Sequence, residues 1–134
     1  MDHEQRCAEL YRLGNHGAGP VPDGLLAVGA MSCMLCKNSM RNNDYVTQLK
    51  NGKAVTWLDI NEEAGLNRFY SVEGITYDYT QETAMAGGKP VVGTPVYLWV
   101  QDGRISIPSL GTGEQAEGGL DLLAERAAER LATR

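Results

Sequence analysis

The chain has 134 residues, 43% hydrophobic content and a net charge of −5, enough for one real core and too little for two comfortable domains, so a single domain over residues 1–134 is expected. Its 12 basic residues are scattered; they form no patch that would track a phosphate backbone, and nucleic acid is not an expected partner. No apolar stretch approaches the roughly 20 residues a bilayer requires, and the polar opening Met1-Asp2-His3-Glu4-Gln5 lacks the apolar core of a signal peptide, so no membrane association and a cytoplasmic location are expected.

Residues 2 to 13 read as a helix with Cys7, Leu10 and Tyr11 on one face and Gly14 as its stop. Gly14 to Gly24 is dense in Gly and Pro and reads as an irregular connection. Leu25 to Ala30 is the first clear strand. It leads into Cys33-Met34-Leu35-Cys36, from which a helix can run to about Lys50 before Asn51-Gly52 ends it. Val55 to Ile60 is the second strand. Asn61-Glu62-Glu63 then supplies an N-cap and an acidic first turn for a helix through about Tyr70, with Leu66 and Phe69 or Tyr70 facing inward.

Residues 71–93 read as an insertion. Ile75 to Tyr79 alternates like a strand, Thr80 to Ala86 suits a helical turn, and Gly87-Gly88-Lys89-Pro90 breaks both. Pro95 to Val100 and Ile105 to Ile107 flank Asp102-Gly103 and predict an antiparallel hairpin. From about Gly118 to Thr133, Leu120, Leu123, Ala124, Ala127 and Leu131 form one stripe of an amphipathic helix. Strands separated by helices, then a hairpin and a closing helix, imply an α/β fold: a central mixed β-sheet flanked by helices on both faces.

Three cysteines are too few for a disulfide scaffold. Two residues between Cys33 and Cys36 set their sulfurs one helical turn apart, and the position at a strand-to-helix junction places the first beside unpaired helix N–H groups, where the dipole favours a thiolate. A second signal is Thr94-Pro95, where proline opens a β-branched and aromatic run. A Cys-x-x-Cys is also half of a zinc tetrad. The remaining candidate ligands for that reading are Cys7, His3 and His16, which show no paired spacing.

Taken together, the strand before Cys33-Met34-Leu35-Cys36-Lys37, the strand Val55 to Ile60, Thr94-Pro95 opening a hairpin, and the terminal helix resemble the thioredoxin-like family over roughly residues 24 to 133. The resemblance implies a thiol–disulfide oxidoreductase without a bound cofactor. Cys33 would attack a substrate disulfide and Cys36 would resolve the mixed disulfide. Pro95 would be the family's cis-proline, Thr94 would offer its backbone to an extended substrate segment, and Met34 and Leu35 would present an apolar face to it. Expected partners are protein or small-molecule disulfides and a reductase or low-molecular-weight thiol that recycles the pair, with reduction as the expected direction. The chain departs from the family at Ala27, where members of the classical type carry a buried acidic residue six positions before the first cysteine. It departs again in Ser32-Cys33-Met34-Leu35-Cys36, which replaces Trp-Cys-Gly-Pro-Cys. Two other readings stand beside this one: a binding or assembly protein that holds a partner on Met31, Met34, Leu35 and Thr94-Pro95 without turnover, and a structural zinc protein.

Overall fold

In the computed structural model, which describes residues 2–42, 55–91, 95–110 and 119–133, the chain runs α1 (His3–His16), β1 (Gly24–Gly29), α2 (Met34–Asn42), β2 (Val55–Asp59), α3 (Glu63–Tyr70), β3 (Ile75–Asp78), β4 (Thr83–Ala86), β5 (Lys89–Pro90), β6 (Val96–Gln101), β7 (Arg104–Ile107) and α4 (Gly119–Ala132). Among the described residues this is a mixed α/β architecture with four helices and two sheets. None of these helices is long and apolar enough to cross a membrane.

Strand β1 is the axis of the fold, because Leu25 and Ala27 on one side and Leu26 and Val28 on the other are all buried. A strand apolar at both parities needs cover on both faces. It lies between β2, paired in parallel with Leu25 opposite Val55, and β6, paired antiparallel with Leu26 opposite Leu98. Strand β7 completes the order β2-β1-β6-β7. The β6–β7 turn is the expected Asp-Gly bend: Asp102 and Gly103 have φ of 55° and 75°, the left-handed pair that a two-residue hairpin requires. Asp23 holds this bend by accepting from the Asp102 and Gly103 amides.

One face of this sheet is covered by α1, α2 and α4, whose Cys7, Tyr11, Met40, Leu123 and Ala127 pack with Leu25, Ala27, Trp57 and Tyr97. The other is covered by α3 and the second sheet, through Phe69, Ile75 and Ala86 against Leu26, Val28, Leu58, Val96, Leu98 and Val100. Helices therefore stand on both faces, and on the second they share the cover with strands.

Helix α1 begins with a reciprocal capping box in which Asp2 and Gln5 each bond the other's amide. It does not stop at Gly14. The helix continues to His16 because Gly14 is an approach point: a Cβ there would lie 1.8 Å from the Trp57 carbonyl oxygen. Arg68 of α3 reinforces the contact by donating to the carbonyls of Gly14, Gly19 and Pro20. Helix α3 starts later than expected, with Glu62 at the N-cap and no side-chain cap. The Asp59 carboxylate accepts from the Asn61 amide instead. The expected extension of α2 to Lys50 lies outside the described residues, as does the side chain of the stripe residue Leu120.

Within the stretch expected as an insertion, β3-β4-β5 form a three-stranded antiparallel meander. Residues 83–86 are strand rather than the expected helical turn, because Gly87 and Gly88, at φ 59° and 79°, form a two-residue hairpin between Ala86 and Lys89. Gly-Gly here joins two strands instead of breaking the structure. Pro90 is tolerated because β5 is an edge strand.

Candidate functional site

The β1 strand ends at Gly29, whose carbonyl accepts from the Ile60 amide. The chain then turns through a Cys33 N–H to Ala30 carbonyl bond at 3.0 Å. The Asp59 carboxylate accepts from the Met31 amide at 3.3 Å, which ties the start of this loop to the end of β2. Cys33 stands immediately before α2 as its N-cap residue, and its sulfur accepts from the Cys36 amide at 3.3 Å. Ser32, one residue earlier, is exposed. The capping atom is the sulfur itself, so Cys33 Sγ sits among the first amides of the helix, where the positive dipole end stabilises negative charge.

Both cysteines are thiols, and they differ in access: Cys33 is half-buried while Cys36 is wholly buried. That is the asymmetry expected of an attacking thiol and a resolving one. Met34 and Leu35, between them, are 68% and 45% exposed, large values for apolar side chains next to a thiol. Pro95 is fully buried and adjoins β6 just beyond the Val28 and Val96 pair. It therefore sits at the Gly29 end of the sheet, from which the cysteine loop departs. Thr94 lies outside the described residues.

Two tyrosines that the sequence reading did not connect with the cysteines frame Cys36 from beneath. Tyr11 approaches it from α1, and Tyr97 on β6 lies near enough for charge on Cys36 to act on it. Gly29 makes the first approach possible, since a Cβ there would lie 2.6 Å from Tyr11 Oη and 2.8 Å from Cys36 Sγ. The buried Tyr11 hydroxyl has no oxygen or nitrogen partner. Its pKa is pushed far up, first by burial and then by Cys36, Asp59 and Cys33. Tyr97 shares a hydrogen bond with the buried Ser39 hydroxyl. Its pKa is pushed up to about 12, mainly by burial, with the Ser39 bond acting in the opposite direction. The available sequence signal was Gly29 itself, a glycine ending an otherwise apolar strand, which marks a close approach.

Cys7 belongs to a different environment. It is fully buried, its sulfur is 3.5 Å from His3 Nε2, and burial, aided by Glu4, raises its pKa and keeps it a thiol. His16 lies beside Glu62 at 3.9 Å. Among the described residues no three His, Cys, Asp or Glu side chains gather as metal ligands would. Trp57 is buried in the core, while Trp99 is half-buried. Tyr70, Tyr77 and Tyr79 form a ladder of edge contacts, with centroids 6.2 and 4.9 Å apart, that ends in the exposed Tyr79.

No protein-family model matches the chain, and neither a curated protein nor a solved structure shows significant similarity to it.

Proposed function

We propose that this protein is a divergent thioredoxin-like thiol–disulfide oxidoreductase that uses Cys33 and Cys36. The observation that carries the reading is the pairing of a half-buried sulfur at a helix N-cap with a wholly buried sulfur one turn later. The order β2-β1-β6-β7, with β1 and β2 parallel and β6 and β7 antiparallel, and the buried Pro95 at the cysteine end of that sheet support it further. Cys33, as a thiolate, attacks one sulfur of the substrate disulfide and expels the other half as a thiolate. Cys36 then loses its proton and attacks Cys33 Sγ, releasing the second half and closing the Cys33–Cys36 bond. The substrate gains two electrons and the pair loses two. Substrates are protein or small-molecule disulfides, no bound cofactor takes part, and a reductase or low-molecular-weight thiol returns the pair to the dithiol. A cytoplasmic setting and the reducing direction belong to the same proposal.

Equilibration against glutathione and dithiothreitol buffers, with trapped thiols counted by mass, tests it. A reversible two-electron transition confined to Cys33 and Cys36, lost in Cys33→Ser, is the expected result, and its midpoint distinguishes reductant from oxidant. If no such disulfide forms across the range, the reading fails. The exposure of Met34 and Leu35 favours one second reading, a partner-binding protein without turnover. In that case Cys33→Ser retains its partner and nothing is lost with the sulfur.

A further inference from the structure

We propose that Tyr11 is the hydrogen-bond donor that stabilises the Cys36 thiolate while Cys36 resolves the mixed disulfide on Cys33. The inference rests on the oxidoreductase reading and adds a residue to it. Resolution requires a thiolate at a wholly buried position, and charge there is unfavourable unless a donor is aimed at it. Ala27 of β1 is buried in the same cluster as Tyr11 and Tyr97, so the strand offers no carboxylate in the position where the family resemblance would place one. What faces the sulfur instead is the Tyr11 hydroxyl, brought close by the missing Cβ of Gly29 and lacking any oxygen or nitrogen partner. Tyr97 is the poorer donor, because its hydroxyl is already engaged with Ser39.

Burial holds the Tyr11 phenol well above its ordinary pKa, so it keeps its proton through the reaction and acts as a donor, never as the base. The Cys36 proton therefore leaves to solvent or to the departing thiolate. The titratable groups facing this pair are Cys33 at the start of α2, Asp59 at the end of β2 and Tyr97 on β6. Among the described residues, α4 contributes Leu123, Ala127 and the half-buried Leu131 to the cluster, none of them titratable.

Single-turnover reduction of dithiobis-nitrobenzoate, followed by thiolate absorbance across pH, separates the two steps. The first equivalent of aromatic thiolate reports attack by Cys33, and the second reports resolution by Cys36, with the Cys33–Cys36 product confirmed by mass. Tyr11→Phe should leave the first phase unchanged, slow the second roughly tenfold at neutral pH and raise its pH midpoint by about one unit, the shift expected when one hydrogen bond to a charged sulfur is lost. Tyr97→Phe should move that midpoint much less. Removing a hydroxyl that has no oxygen or nitrogen partner also should not unfold the protein, which thermal unfolding of the variant checks. A wild-type chain that forms no Cys33–Cys36 disulfide overturns the oxidoreductase reading itself. Two normal phases in wild type, with a second phase whose pH midpoint is unmoved in Tyr11→Phe, overturn the role of Tyr11 and leave that reading standing.

Discussion

The two faces of the central sheet are made by alternate residues of the same strands, yet they are chemically unlike. The buried side chains under α3 and the meander are mostly aliphatic, with Val21, Leu26, Val28, Leu58, Val72, Ile75, Val96, Leu98 and Val100 around Phe69 and the partly buried Tyr70 packed against them. The face under α1, α2 and α4 carries Tyr11, Trp57 and Tyr97, with the rings meeting edge to face at 6.4 and 6.1 Å, and Cys36 and Ser39 are buried above them. Strand alternation lets one sheet divide its labour. The aliphatic face supplies cohesion, and the aromatic face carries buried hydroxyls near the buried Cys36.

That division can be broken from either side. The largest effect is expected from the aliphatic face: Leu58→Ala should lower unfolding free energy by about 2–5 kcal/mol through lost burial and a residual cavity. Chemical denaturation measures this loss, while the Cys33–Cys36 midpoint stays in place. A shifted midpoint would mean that the two faces are not separable.

Alkaline pH attacks the other face. Cys7, Tyr11 and Tyr97 all have pKa values raised by burial, so each binds its proton more tightly folded than unfolded. Their contribution is complete below the unfolded pKa values and is lost as pH rises, beginning near 9 for Cys7, whose ordinary value is 9.0. Tyr97 loses its share between 10.0 and about 12, roughly 2–3 kcal/mol at about 1.4 kcal/mol per unit. On the aliphatic face Tyr70, partly buried against the cluster, also has a pKa raised by burial, so Tyr97→Phe should flatten part, not all, of the decline seen in denaturant titrations between pH 9 and 11.

The same variant sharpens the comparison at neutral pH. It leaves the buried Ser39 hydroxyl without the Tyr97 oxygen, and about 1–3 kcal/mol of stability should be lost. Tyr97→Phe with Ser39→Ala should recover part of this, and a double-mutant cycle reads the coupling. The smallest effect is expected at the surface, where Lys37 of α2 pairs with Glu4 of α1 at 2.9 Å. Lys37→Met should cost less than about 1 kcal/mol, and high salt should remove the difference.

The elements with strong local signals were legible. Leu25 to Val28 and Val96 to Val100 announce buried strands by unbroken apolar character, and Asp102-Gly103 announces its turn, because these depend on nearest neighbours in the chain. Residues 83–86 were not legible: Thr83-Ala84-Met85-Ala86 has no strand preference of its own, and pairing with Ile75 to Asp78 makes it one. Gly14 misled for a related reason. A glycine near a helix end reads as a stop, but this one is required by the Trp57 carbonyl 43 residues further along the chain.

The candidate site divides in the same way. Spacing alone set Cys33 and Cys36 one turn apart, and order along the chain put Cys33 first, since a helical register is a local property. Only the tertiary structure decided that Cys33 would be the cap and Cys36 the wholly buried thiol, and only it brought Tyr11 from α1 and Tyr97 from β6 to the same sulfur. Those contacts join residues 25 and 61 positions apart. They exist because β1 is covered on both faces and because Gly29 leaves room beside it, conditions that packing imposes and that no short stretch of sequence contains.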